Sequence, residues 1–274
     1  MLLMTEFGEN EDIRPHTIKK WRFLRKYLEA YTKIVSNKSW DSFFYIDGFA
    51  GKGKYGEYEG SPLIALKLDY LFTNYIFIEE KKENIKKLES IIRQLSINKA
   101  KIFRNDKNNP SRDVDVKISF KRTDVNSYLQ ENLCKDVPDG KICFIFLDPT
   151  GTELSMKALE ACAKRTRVEL LINFPVSGVI RNMETPQSEK TITALFGSDE
   201  WKHVRSDSKK GENLAEIYVQ SIRKFFRNIK YEVIKNEKNS PVYYLIFATN
   251  SDVGFKIMNN VMQDGQKSLF KWMK

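Results

Sequence analysis

The chain has 274 residues, enough to bury one large core, and no run of 18 apolar residues that would predict a membrane span. Two histidines and three scattered cysteines exclude a histidine-rich metal centre and a disulfide framework, so we expect a cytoplasmic protein without a metal site. Lys and Arg outnumber Asp and Glu by 46 to 36, and the resulting charge of +10 favours an anionic partner such as nucleic acid.

The N-terminal 14 residues are too short and too acidic for a secretory signal, and we expect a flexible tail there. From Pro15 onwards, apolar residues recur at steps of three and four, which predicts an amphipathic helix. Basic residues fill the positions between them: Lys19, Lys20, Arg22, Arg25, Lys26 and Lys33. This basic face either contacts phosphates or is simply solvated.

After this helix, short apolar runs alternate with helical patterns. The predicted strands cover residues 43–46, 75–78, 117–121, 142–147 and 168–174. Helices are predicted over 61–72, 85–95, 125–133 and 155–163, and residues 99–116 are polar enough to predict a loop. This alternation indicates a mostly parallel sheet with helices on both faces.

Residues 176–212 interrupt the alternation, and we interpret them as an insertion that covers the site. A helix over 214–226 follows, and strands over 231–234 and 242–248 are predicted to pair as an antiparallel hairpin. A helix over 255–262 and a tail over 265–274 complete the chain. The sequence therefore predicts one α/β domain over residues 15–264.

A glycine-rich loop over residues 47–60 joins the first strand to the helix at Ser61-Pro62. Such a strand, glycine turn and helix start is a common site for nucleotide-like ligands. Residues 48–54 fit the phosphate-loop spacing, but Tyr55 stands where a Ser or Thr should hold Mg²⁺. Glycines 51, 53 and 56 fit the dinucleotide fingerprint, with Glu79 at about the right distance, although a further turn precedes the helix.

A third template fits the same loop. Asp47, Gly51 and Gly53 match the acidic-x-x-x-Gly-x-Gly turn of S-adenosylmethionine-dependent methyltransferases, and Gly48 and Phe49 lie within that turn. A glycine-rich surface hairpin is the plain alternative.

Acidic residues follow the ends of four predicted strands: Asp47, Glu79, Asp124 and Asp148. The carboxyl ends of parallel strands share one edge of the sheet, where open α/β folds bind ligands. Glu79 can accept both ribose hydroxyls of an adenosine ligand, and Asp124 can accept the adenine amine, unless it only caps a helix. Asp47 and the glycine loop can hold the amino-acid end. The set favours S-adenosylmethionine over NAD.

A family resemblance runs in one order along the chain. It is carried by His16-Thr17 with Lys20, Tyr45 to Gly53, Gly60-Ser61-Pro62, Phe77-Ile78-Glu79, Leu147-Asp148-Pro149-x-Gly151, Asn173-Phe174-Pro175, Arg181, Leu245 to Ala248 and Gly254. This pattern resembles the three-Cys-motif partner family, a methyltransferase-like group. The resemblance implies a Rossmann-like S-adenosylmethionine-dependent methyltransferase fold and a separate three-cysteine-motif protein as partner. It also implies substrate contacts from His16, Lys20, Asn173 and Arg181.

The loop Asp148-Pro149-Thr150-Gly151 resembles the Asp-Pro-Pro-aromatic loop of amino-methyltransferases, which holds the target amine beside the methyl donor. The resemblance makes Asp148 and Pro149 the catalytic candidates, with a nucleic-acid amine as the acceptor. Thr150 and Gly151 replace the second proline and the stacking aromatic, so we expect Phe174 or an aromatic of residues 176–212 to substitute. A non-catalytic module that binds the cofactor or a partner is the alternative.

Overall fold

The computed structural model of the protein describes residues 15–36, 42–95, 97, 99–103, 111–204 and 209–272. The tail expected over residues 1–14 lies outside these ranges. The strands are β1 (Phe43–Asp47), β2 (Lys54–Tyr55), β3 (Tyr58–Glu59), β4 (Asn74–Ile78), β5 (Lys99–Phe103), β6 (Ser111–Asp115), β7 (Lys117–Lys121), β8 (Ile142–Leu147), β9 (Val168–Phe174), β10 (Asn228–Lys235) and β11 (Pro241–Thr249). The α-helices are α1 (Pro15–Ser36), α2 (Ser61–Leu66), α3 (Lys82–Arg93), α4 (Val125–Ser127), α5 (Leu133–Asp136), α6 (Met156–Ala163), α7 (Val176–Asn182), α8 (Glu189–Phe196), α9 (Lys210–Arg223) and α10 (Asp252–Trp272).

Seven strands form one sheet in the order β10-β11-β9-β8-β1-β4-β7. Strands β7, β4, β1, β8 and β9 are parallel, whereas β11 is antiparallel to both of its neighbours. The mostly parallel sheet and the C-terminal antiparallel hairpin were both predicted, and both are confirmed. From β1 the chain builds outwards through β4 and β7, then returns to place β8 on the other side of β1. This reversal is the topological switch point, where open α/β sheets bind their ligands.

Side chains of β1 alternate between two hydrophobic layers, one on each face of the sheet. Phe44 and Ile46 pack with the core that α6 to α9 cover, and Phe43 and Tyr45 pack with the core under α1, α2, α3 and α10. All five residues of β1 are buried, as expected for the centre of a sheet with both faces covered. The predicted helix α1 is confirmed, and its apolar face lies in the second core. In the described ranges, no helix combines the length and apolarity needed to cross a membrane.

The loop predicted over residues 99–116 is wrong, because β5 and β6 pair there as an antiparallel hairpin. The register pairs residue 99 with residue 115 and residue 101 with residue 113. The hydrogen bonds of a ladder join backbone groups, so they form whatever the polarity of the side chains. High charge alone therefore did not exclude strands here.

The segment 176–212 forms helices that pack into the core. Ile192, Leu195, Phe196 and Trp201 are all buried there. None of its described residues lines the cleft at the switch point, contrary to our expectation of a cover. The segment does not cover the cleft because the hydrophobic effect buries its apolar residues, and their burial fixes the segment against the face of the sheet.

Two helix ends also differ from expectation. Helix α2 ends at Leu66 rather than at residue 72. Helix α10 continues to Trp272, so residues 265–272 are helical and do not form a separate tail. Gly265 lies inside this helix, where one glycine costs only about 1 kcal/mol.

Candidate functional site

A cleft of about 420 Å³ opens at the carboxyl ends of β1, β4, β7 and β8. This volume is in the ordinary range for small-molecule sites. Six of the residues that we predicted for the site line it: Gly48, Phe49, Gly51, Glu79, Asp124 and Asp148. The strand order thus brings together residues that are up to 100 positions apart in the chain.

Gly48 and Gly51, in the loop that follows β1, lie against neighbouring side chains without room for a Cβ. A Cβ on Gly48 would lie 2.5 Å from Leu147 Cδ2 and 2.9 Å from Val125 Cγ2. Gly51 has a φ of +61°, and its N–H donates to Glu79 Oε2 at 2.9 Å. Strands β2 and β3 form a small hairpin within the loop, so the turn and the surface hairpin considered from the sequence coexist.

Asp47 and Gly53 were also predicted for the site, but they lie behind the cleft and do not line it. Both residues are buried. The Asp47 carboxylate accepts hydrogen bonds from the Ser61 hydroxyl, from the Tyr45 hydroxyl at 3.1 Å and from the Phe49 N–H at 3.3 Å. Burial raises the pKa of Asp47 from 3.8 to about 7, against the opposing effect of these hydrogen bonds; nearby Asp148 adds to the rise. Asp47 therefore ties β1, the glycine loop and α2 together.

Glu79 and Asp124 contact backbone N–H groups as well as the cleft. Glu79 accepts from Gly51 N–H and, at 2.8 Å, from Lys81 N–H. Asp124 is the N-cap of α4 and accepts from Ser127 N–H at 2.8 Å. Asp124 therefore caps a helix, as the alternative interpretation of the sequence had it, and it also lines the cleft.

Asp148 directly follows β8 and is held by two buried side chains. Lys20 of α1 forms an ion pair with its Oδ2, and Asn173 Nδ2 donates to its Oδ1 at 2.7 Å. Lys20 and Asn173 are only 7% and 5% exposed. The buried Oδ1 of Asn173 has no hydrogen-bond partner among the described residues. The side chain that holds the Asp148 carboxylate therefore carries a buried acceptor whose hydrogen bond is not made within the described residues.

The residues after Asp148 form a tight turn. Pro149 is buried, and Thr150 is exposed. The Glu153 carboxylate accepts from the Thr150 hydroxyl and from Gly151 N–H, both at 2.6 Å. Asn126 Nδ2 in turn donates to the Glu153 carbonyl at 2.7 Å. The loop that resembles a catalytic loop is thus fixed from within.

The expected aromatic substitutes are wrong. Phe174 is fully buried and stacks on Tyr218 with ring centroids 4.4 Å apart. Trp201, in the segment 176–212, is also fully buried. Both rings are used in packing, so neither can stack on a ligand. The aromatic side chains that line the cleft are instead Phe49 and Tyr55.

Two predicted substrate residues lie at the margins. Arg181 is exposed on α7, and its Nη2 would lie 3.8 Å from a Cβ on Gly178, whose other neighbours are Thr150 O and Gly151 Cα. Arg181 therefore lies near the loop after Asp148. His16 lies in the first turn of α1, one turn before Lys20, and its side chain lies outside the described residues.

Sequence reasoning missed three residues that shape the cleft. Tyr55 lines it with a hydroxyl that would be 2.2 Å from a Cβ on Gly51, and its pKa rises to about 12, mainly through burial. Glu153 and Asn126 organise the turn after Asp148. The carboxylate of Glu153, three residues after Thr150, was the available signal, since such spacing is typical of side chains that bond a turn.

No family model matches this sequence, and no curated protein matches it. Among solved structures, the fold is similar to that of protein LPL1258 from Legionella pneumophila, described under the family model DUF519. The TM-score is 0.52 at 13% identity, over 91% of each chain. Trm1 from Pyrococcus horikoshii, in complex with S-adenosyl-L-methionine, gives 0.41 at 12% identity, over 95% of this chain and 64% of that one. Spermidine synthase from Thermotoga maritima gives 0.44 at 12% identity, over 86% and 62%.

The strand order, the switch point and the first of these similarities define the class of fold. The chain has the α/β Rossmann-like fold predicted from its sequence, with the site at the carboxyl edge of the sheet.

Proposed function

We propose that this protein is an S-adenosylmethionine-dependent methyltransferase acting on a primary amine, with nucleic acid as the substrate class. The observation that supports this proposal most directly is the pair formed by Asp148 and the unsatisfied Asn173 Oδ1 at the switch point. A primary amine has two N–H groups, and these two acceptors can take one each. Its lone pair is then free to face the cleft.

The residues of the cleft fit the cofactor. Glu79 would hold the ribose hydroxyls, Asp124 the adenine amine, and the Gly51 turn the amino-acid end, with Asp47 bracing the loop. When bound, S-adenosylmethionine supplies a methyl group activated by its sulfonium. The structures of Trm1 with this cofactor and of spermidine synthase support the proposal as similar folds only.

The chain's own residues have limited work to do in this reaction. Asp148 and Asn173 orient the amine, and alignment with exclusion of water supplies much of the rate. S-adenosylmethionine held in the cleft would supply its methyl group to the nitrogen that Asp148 and Asn173 orient, and S-adenosylhomocysteine would be the leaving product. The amine loses one proton, which Asp148 accepts and passes to solvent. Lys20 keeps Asp148 oriented through the ion pair.

We also propose membership of the three-Cys-motif partner family, with a separate three-cysteine-motif protein as partner. The order of matching residues along the chain supports it. The substrate roles of His16 and Arg181 depend on the same resemblance.

A second candidate function is a non-catalytic module that binds the cofactor or its partner protein. Two observations favour it. The carboxylate expected to hold the target amine already holds the Lys20 ammonium. The turn after Asp148 also lacks an aromatic clamp, since Thr150 and Gly151 are bonded to Glu153.

The variant Asp148→Ala separates the two functions. We expect it to bind S-adenosylhomocysteine as the wild type does but to lose turnover at least about 100-fold, as for a group acting mainly in the transition state. The measurement is tritium transfer from labelled cofactor into total RNA, DNA or co-purified protein, with calorimetry for binding. Exposed Asp69→Ala is the matched control.

Undiminished transfer by Asp148→Ala would refute the catalytic role of Asp148. Absence of transfer by the wild type to every pool, with the three-cysteine partner supplied, would favour the binding module. Failure to bind S-adenosylhomocysteine at all would overturn the methyltransferase and the cofactor-binding module, and would leave only partner binding.

A further inference from the structure

A second cavity, of about 360 Å³, lies at the opposite edge of the sheet. It opens between the C-terminal half of α1 and the first turns of α10, near the starts of β8 and β9. Its walls are mainly apolar: Ile34, Val35, Ile142, Val168, Val253 and Ile257. Ile34 and Val253 are also among the large apolar side chains exposed to solvent, at 37% and 61%. An apolar mouth of this kind is typical of a ligand site.

The floor of this cavity is polar. Glu169 is 5% exposed, and its carboxylate accepts a hydrogen bond from the Tyr27 hydroxyl. A Cβ on Gly254 would lie 2.0 Å from Glu169 Oε1, so the residue at 254 has to be glycine for the carboxylate to fit. Burial raises the pKa of Glu169 from 4.5 to about 7, partly offset by the Tyr27 hydrogen bond.

A second polar group of the cavity is unsatisfied. The Tyr31 hydroxyl is buried and has no hydrogen-bond partner among the described residues. Its ring stacks on that of Tyr27, with centroids 5.5 Å apart. A buried hydroxyl without a partner costs free energy that a bound ligand recovers. Tyr31 and Glu169 both line this cavity, and each brings a buried polar group to it.

We infer that this cavity binds a small amine with an apolar body, its ammonium held by Glu169. The carboxylate supplies the opposite charge, and the Tyr31 hydroxyl accepts an N–H. The aliphatic walls cover the apolar body. Thr166 and exposed Arg167 lie at the rim of the cavity. Among the described residues that line it, Glu169 is the only acidic one. This site is separate from the cleft of the proposed function.

The test uses 2-phenylethylamine as the probe and 2-phenylethanol as its uncharged counterpart. At pH 8, titration calorimetry on the full chain should show saturable binding of the amine, and binding of the alcohol should be about tenfold weaker or more. The affinity should be unchanged by saturating S-adenosylhomocysteine, because the cavities lie at opposite edges of the sheet. Amine binding that S-adenosylhomocysteine abolishes would overturn the inference.

Two variants locate the binding. Glu169→Gln should weaken the amine about tenfold or more and leave the alcohol unaffected, and Tyr31→Phe should weaken both several-fold. Exposed Glu216→Gln is the matched control and should bind as the wild type does. If Glu169→Gln fails to fold, Tyr31→Phe still decides the point. Equal affinity in wild type and Tyr31→Phe, or no binding by the wild type, would leave Glu169 as a structural anchor for α10 only.

Discussion

Two carboxyl groups in the core hold their protons more tightly than free carboxyl groups do. Asp47 stands behind the cleft and Glu169 at the opposite edge, and burial raises the pKa of each to about 7. Each hydrogen-bonds a tyrosine hydroxyl from the same side of the sheet, Tyr45 and Tyr27. The two residues therefore make the stability of this fold depend on pH near neutrality.

The sign of this dependence follows from proton binding. In the unfolded chain these groups lose their protons near pH 4, but in the folded chain near pH 7. The free energy of unfolding should therefore fall as pH rises from about 4 to 7, by roughly 3 kcal/mol per group. Urea denaturation at pH 5 and pH 8 measures it. Asp47→Asn and Glu169→Gln should each remove a share of the fall, and exposed Asp69→Asn should not. A pH slope unchanged in both variants would contradict the burial argument.

At the level of secondary structure, hydrophobic alternation predicted the parallel strands and the C-terminal hairpin. The hairpin β5–β6 was not predicted, because its strands are joined by backbone hydrogen bonds and carry no apolar pattern that marks them as strands. In the site, the acidic residues at strand ends were predictable because parallel strands share an edge. The contacts of Lys20 and Asn173 with Asp148 were not predictable from spacing, since 128 and 25 positions separate them from it. The burial of Phe174 was not predictable either, because it results from packing against α9, which follows much later in the chain.

The glycine loop offers a matched pair of substitutions. Gly51 and Gly56 have similar positive φ values, +61° and +56°, so alanine at either position costs about 1–2 kcal/mol of backbone strain. A Cβ on Gly51 would also meet the Tyr55 hydroxyl at 2.2 Å, whereas none of the described atoms lies within 4 Å of one on Gly56. We expect Gly51→Ala to weaken S-adenosylhomocysteine binding about tenfold or more, and Gly56→Ala to leave it intact. Calorimetry and urea denaturation compare the two. Equal effects on binding would show that the close contact between Gly51 and Tyr55 has no part in cofactor binding.

On the scale of the whole molecule, the charge of +10 is the main argument for nucleic acid. Helix α1 carries part of this charge and also supplies Lys20 to Asp148. Arg22 and Lys26 are exposed on it, and Trp21 packs on Tyr55 with centroids 5.9 Å apart. A basic surface therefore continues towards the cleft, which suits a polyanion whose reactive amine enters there.

Binding to single-stranded RNA or DNA should weaken steeply with salt, because bound phosphates release counterions. The triple variant Lys19→Ala, Arg22→Ala and Lys26→Ala should reduce the slope of log K against log salt by about two to three. A triple variant at exposed Lys224, Lys235 and Lys238 keeps the net charge equal and should retain more of the slope. Filter binding at several salt concentrations measures both. A slope equal in the two variants would remove α1 from the nucleic-acid surface.

The position of β11 has a consequence for biosynthesis. This strand is inserted between β9 and β10, and it is the last of the seven to emerge from the ribosome. Until residue 249 has left the exit tunnel, β9 has a bare edge, and residues that are all buried in the finished sheet lie beside it. Such edges recruit other chains. A nascent chain paused before β11 would therefore expose this edge, and the sheet is complete only once residue 249 is available.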